Sequence, residues 1–172
     1  ETPGMKELGS SAQVIVSAAN QIYDGMHNII RQLRPGSLDN LGLVETLKDV
    51  IGVYQSQHPE IKMQLKLSKN LQSAQLESVG ETVSINLYRI VQESLNNALK
   101  YAKAKSIQVS AQQHENEILV QITDDGIGFS EATVVNGNGL YNMKKRMEEI
   151  GGTCTIVSNE GTGTQVTFTL KR

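Results

Sequence analysis

The apolar positions change period several times along the chain, and each change marks an element. Residues 1–11 are polar, carry Pro3 and two glycines, and show no period, as a frayed start does. From residue 14 the pattern tightens. Ile15, Ala19, Ile22, Met26, Ile29 and Leu33 lie four and three residues apart in alternation, the seam of a coiled coil or four-helix bundle. One helix alone cannot bury such a seam. It needs the body of its own domain or other helices, which dimerisation would supply. Pro35-Gly36 stops it, because proline disfavours helix in the residue before it and glycine gives a flexible turn.

A second helix is predicted over about 40–57, capped by Ser37 or Asp39 and ended by His58-Pro59. IKMQLKL, residues 61–67, alternates apolar and polar like a half-buried strand. Residues 80–102 give the strongest helical pattern, with Val83, Leu87, Ile90, Val91, Leu95, Ala98 and Ala102 on one broad stripe. Strands follow at about 105–111 (Ile107, Val109, Ala111) and 117–123 (Ile118, Val120, Ile122), with His114-Glu115-Asn116 in the turn between them. A helix over 140–150 precedes strands 153–158 and 164–170, which NEGTG joins as a glycine hairpin. Helices interleaved with mostly hairpin-linked strands give an α+β class: a mixed, mostly antiparallel sheet with helices on one face, preceded by a long N-terminal helix. The expected division is 1–36, a tail and helix, and 37–172, the sheet domain.

Composition narrows the function. A length of 172 residues suits one domain plus a helical appendage. Hydrophobic residues at 38%, together with 15 glycines, suffice for a real core. Aromatics at 4%, no tryptophan and a net charge of −2 leave neither a base-stacking platform nor a basic field, which disfavours nucleic acid as a partner. The single cysteine, Cys154, excludes an internal disulfide framework and reads as a reduced thiol in an apolar strand. No apolar run reaches the ~18–20 residues that span a bilayer, and the first residues lack the pattern of a signal peptide. A cytoplasmic domain is expected, attached to a membrane only through segments outside this chain.

Three glycine clusters stand out: Asp124-Asp125-Gly126-Ile127-Gly128, Gly137-Asn138-Gly139 and Gly161-Thr162-Gly163-Thr164. Glycines let backbone approach a ligand closely, and the second cluster precedes a helix whose N–H groups favour phosphate. Each alone is more simply a turn. Neither a GxxxxGK[ST] loop nor a GxGxxG after a first strand is present. The polar face of the 80–102 helix adds weight. Glu93, Asn97 and Lys100 fall at i, i+4 and i+7 on one face, with Asn96 beside them. A carboxylate and an amide oxygen there can hold Mg²⁺ directly or through water, and the lysine can meet phosphate; a solvated Glu/Lys face fits the same spacing. Asp124 closes an apolar strand, where a carboxylate can accept from an exocyclic amine or simply make a turn.

In order, these pieces resemble a family. ESLNNALKYA resembles the N box of histidine-kinase catalytic domains, and DDGIGF, GNGLYNMKKRMEEIGG and GTGT resemble its three glycine boxes. Their order and spacing match the GHKL (Bergerat-type, HATPase) ATP-binding fold. LRPGSLDNLGLVETL resembles the segment that joins dimerisation helices to the catalytic domain in sensor kinases related to nitrate, hexose-phosphate and cell-envelope sensors. The resemblance runs from about residue 14 to 170. It implies ATP and Mg²⁺ as cofactors, with Asn97 the Mg²⁺ ligand, Glu93 assisting and Lys100 facing the phosphates. It also implies Asp124 on the adenine amino group, Gly126 and Gly128 shaping that pocket, and Thr164 nearby. Asn96, beside these residues, would belong to the cofactor-binding set. Gly137, Gly139 and Leu140 would belong to a short ATP lid followed by Arg146. Tyr101 departs from the pattern, standing where many relatives carry histidine.

The implied reaction is phosphoryl transfer to a histidine and then to a response regulator, within a homodimer. Of His27, His58 and His114, none has the expected setting of the acceptor. His27 lies one short step before LRPG, as in the second dimerisation helix. Either the chain begins after the first helix or the kinase is degenerate, and the ragged start favours the former. The chain alone is then not expected to phosphorylate itself. The alternatives are another GHKL ATPase, a serine kinase of the anti-sigma-factor type, or a dimerisation module with a sensing-only nucleotide site.

Overall fold

Alternation decides which side of each strand meets the helices. In β2 (Ser106–His114) the buried positions are Ile107, Val109 and Ala111. In β3 (Glu117–Asp124) they are Ile118, Val120, Ile122 and, in the same register, Asp124. The computed structural model describes residues 11–19, 22, 36–69, 71, 76, 79–114, 116–130 and 138–171. Its other strands are β1 (Lys62–Leu67), β4 (Thr153–Asn159) and β5 (Gly163–Lys171). The sheet runs β1-β2-β3-β5-β4. β1 is parallel to β2, with Met63 opposite Ile107, and every other pair is antiparallel, with Val120 opposite both Ala111 and Phe168.

A parallel pair cannot be closed by a hairpin, and a helix supplies the crossover. Four helical segments are described: α1 (residues 11–19), α2 (Gly36–Gln57), α3 (Glu81–Asn97) and α4 (Asn138–Glu149). α3 crosses from β1 to β2 and buries Leu87, Ile90, Val91 and Leu95. Met143 and Met147 of α4, and Leu43, Val44, Leu47, Val50 and Ile51 of α2, complete the core with Phe168 of β5. This is the expected α+β arrangement of a mixed sheet with its helices on one face.

Three elements differ from the sequence pattern. α2 opens at Gly36, earlier than the pattern predicts, so Ser37 and Asp39 fall within its span, and Gly42 (φ 79°, ψ 177°) breaks it near its start. The Thr46 hydroxyl closes that break by donating to the Gly42 carbonyl at 2.7 Å. The helix expected over 80–102 is α-helical only to Asn97; Ala98–Ala102 form a π-helical turn, which ends in left-handed Lys103 (φ 52°). Apolar spacing cannot announce such a turn, because Ala98 and Ala102 stay buried in both geometries. Finally, β2 continues through His114, so that histidine closes a strand.

The chain divides into two units, Glu1–Arg34 and Pro35–Arg172. In the first, Ile15 and Ile22 of the seam are exposed, while Met26, His27, Ile29 and Leu33 lie outside the described residues. Among the described residues, no helix is long and apolar enough to cross a membrane.

Candidate functional site

Strand alternation carries a carboxylate onto the helix-covered face of the sheet. Asp124, 7% exposed, occupies the position after Ile122 where another apolar side chain would continue the core. Its Oδ1 accepts from the backbone N–H of Gly126 at 2.9 Å and of Thr164 at 3.3 Å. No described residue hydrogen-bonds its Oδ2. Burial pushes the carboxyl above its ordinary range; the Gly126 and Thr164 N–H groups pull it back, and the neighbouring Asp125 charge adds to the rise. Asp125 does different work. Its Oδ1 accepts from the backbone N–H groups of Lys105 and Ser106 at 2.7 and 2.8 Å, fixing the entry to β2.

The glycines around Asp124 are required by proximity. A Cβ on Gly126 would strike the Ala102 carbonyl and lie 2.6 Å from the Ala102 Cβ, and the next N–H, of Ile127, donates to that same carbonyl at 2.7 Å. Gly128 (φ 60°) presses on the Asn159 carbonyl, and Gly163 (φ 85°) on the Asp124 carbonyl. Two backbone segments, 126–129 and 159–164, therefore lie against each other beside the carboxylate. Ser158 locks them: its Oγ donates to the Gly163 carbonyl at 3.1 Å and accepts from the Phe129 N–H at 2.9 Å. With that proton committed, the Thr164 hydroxyl donates to Ser158 across 2.9 Å. The sequence did not single out Ser158, whose Phe129 partner stands 29 residues away in the chain.

A second group forms where α4 begins. A Cβ on Gly139 would lie 2.5 Å from Oε1 of Glu93 and 3.4 Å from Nδ2 of Asn97, so the helix start rests on the polar face of α3. Leu140 is half-buried against the core. Ala102 links the two groups, since it ends the helical run that carries Asn97 and also abuts Gly126. Lys100 is exposed in the π-turn.

Two expected site residues have other neighbours. The Asn96 Oδ1 accepts from the Tyr54 hydroxyl of α2 at 2.9 Å. Arg146 reaches Asn86 at 3.5 Å, and its charge adds to the desolvation that lowers the pKa of Arg89. Asn86 stands about 16 Å along the helix axis from Asn97 at 1.5 Å per residue. Gly137 lies outside the described residues. Elsewhere, burial pushes the Cys154 thiol up to about 11, against the pull of Lys144, which leaves it an inert thiol at neutral pH.

Comparison with known proteins bears on the family and the fold. The family model described as histidine kinase-, DNA gyrase B-, and HSP90-like ATPase matches residues 82–172. The oxygen sensor histidine kinase NreB of Staphylococcus carnosus is 33% identical over 164 residues, a match covering 94% of this chain and 46% of that protein. The chain thus spans about half the length of that curated relative. Among solved structures, the histidine kinase AdeS of Acinetobacter baumannii aligns with a TM-score of 0.64 at 14% identity, covering 91% of this chain and 83% of that one. The histidine kinase domain of a blue-light activated kinase from Erythrobacter litoralis aligns with a TM-score of 0.60 at 18% identity, covering 74% and 64%. At these identities the structural likeness speaks to the fold.

Proposed function

Because the chain belongs to the histidine kinase-, DNA gyrase B-, and HSP90-like ATPase family, we propose that it is the ATP-binding catalytic region of a sensor histidine kinase. In this reading residues 37–172 hold the nucleotide, and residues 1–36 carry the second dimerisation helix of a homodimer. The phosphoryl group passes to a histidine outside this chain and from there to a response regulator.

One observation carries the proposal: the buried Asp124 carboxylate, tied through Oδ1 and left with Oδ2 for a ligand, beside walls of close-packed glycine backbone. A carboxylate so held selects an exocyclic amine, because a partner without a donor would leave Oδ2 unpaired in a half-dry pocket. Adenine is that amine here. Gly126, Gly128 and Thr164 shape the base pocket, and Gly139 and Leu140 belong to the lid over the phosphates.

Glu93 and Asn97 fit Mg²⁺, which takes few protein oxygens and keeps water and phosphate as its other ligands. When bound, Mg²⁺ neutralises charge on the transferring phosphates. Lys100 adds a cation from the π-turn. Asn96 and Arg146 take supporting places: Asn96 from its contact with Tyr54, and Arg146 by holding α4 to Asn86.

Isothermal titration of ATP with and without Mg²⁺ tests the reading. Asn97→Ala is expected to weaken binding about tenfold or more only when Mg²⁺ is present, and Asp124→Asn to weaken it about as much in both conditions. Labelled ATP should leave the chain itself unlabelled but label a separate fragment carrying the acceptor histidine. Absence of nucleotide binding by the unaltered chain would overturn the proposal.

A further inference from the structure

The π-helical turn Ala98–Ala102 follows directly on Asn97 and carries Lys100. A helix that passes from α to π register has an obvious competitor, continued α-helix, which would rotate every later side chain. Something must choose the register. Downstream, the turn is held where the Ala102 carbonyl accepts from the Ile127 N–H at 2.7 Å. Upstream, the last side chain before Asn97 is Asn96, and its Oδ1 accepts from the Tyr54 hydroxyl at 2.9 Å across 42 residues of chain. Tyr54 is packed against the core, so its ring is a fixed post.

We infer that Tyr54 is a positioning residue for the nucleotide site: its hydroxyl pins Asn96 and so fixes the helix register in which Asn97 and Lys100 are presented. The inference rests on the nucleotide reading above. It adds a residue on α2, outside every glycine box and outside the N box. It also gives α2, which begins just past the boundary between the two units, a direct grip on the catalytic helix.

The test uses Tyr54→Phe, which keeps the ring and removes one hydroxyl, alongside Asn96→Ala and the double variant. Hydrogen exchange is measured without nucleotide, so the result does not depend on ATP binding. Tyr54→Phe is expected to speed amide exchange over residues 98–102 about three- to tenfold, the range that one net hydrogen bond gives. Exchange in the β3 and β5 strands should not change. The same variant is expected to weaken Mg·ATP binding by a similar factor, and the double variant to be no worse than the worse single one. Unchanged exchange over 98–102, or a lower Tm with exchange rising equally everywhere, overturns the inference. An unaltered chain that binds no ATP would instead sink the nucleotide reading, while the exchange result still decides the role of Tyr54.

Discussion

Asp124 sits at odds with stability. Its carboxyl pKa is raised in the folded chain, so folding favours the protonated form. The sign follows from linkage: the contribution of the protonated acid is fully present below the ordinary carboxylate range and is lost as pH rises through the folded pKa. At neutral pH the buried charge is therefore a cost that the fold carries. Asp124→Asn keeps an oxygen for the Gly126 and Thr164 N–H groups and removes the charge. Without nucleotide, this variant is expected to melt higher than the unaltered chain by about 2 °C or more at pH 7. The gap should close near pH ~3, where both carry a neutral side chain. Paired thermal melts across pH check this, and a lower Tm at pH 7 would mean that the carboxylate is structural. At this scale the sequence was partly legible. Alternation predicted Ile118, Val120 and Ile122 as one face, and Asp124 simply continues it. The division of labour between Asp124 and Asp125 was not legible, because it depends on the Lys105 and Ser106 N–H groups, some twenty residues upstream.

Elements show why equal residues are not equally replaceable. Gly52 stands in α2 with nothing beyond the adjacent backbone of its own helix within 4 Å of where a Cβ would be, and its φ lies outside the left-handed region. Alanine there limits the unfolded chain and favours helix, so Gly52→Ala should stabilise by about 0.5–1 kcal/mol. Gly126 also avoids positive φ, but its Cβ would meet the Ala102 carbonyl and side chain. Its alanine variant must shift either the π-turn or the Asp124 loop, at a cost of about 1–3 kcal/mol. Urea melts of both variants separate the two effects: the first midpoint should rise and the second fall. A fall for Gly52→Ala would show that the break at Gly42 governs the whole of α2. The motif marks Gly126 and passes over Gly52, but it does not say which of the two will tolerate a side chain. What distinguishes them is an approach between residues 102 and 126, and no local period reports on that.

At the scale of the molecule, every buried hydrophobic side chain among the described residues lies between Leu38 and Leu170. The sheet unit thus supplies its own core. The elements of that unit were legible because strand alternation and the 80–102 stripe were both strong, and the candidate site could be read only as an ordered set of motifs. The π-turn, the Tyr54–Asn96 bond and the Ser158 lock were hidden, since each depends on partners that only tertiary packing brings together. The same core argument gives a prediction about the whole chain. Residues 35–172 alone should unfold in one cooperative step, with a Tm within about 2 °C of the full chain, because removing residues 1–34 takes away none of these buried side chains. Its affinity for Mg·ATP should match that of the full chain. Calorimetry and titration on the two chains decide the matter. A broad transition in the shorter one would mean that the seam residues Ile15 and Ile22 help hold the sheet unit together, and the boundary near residue 35 would no longer be a domain boundary.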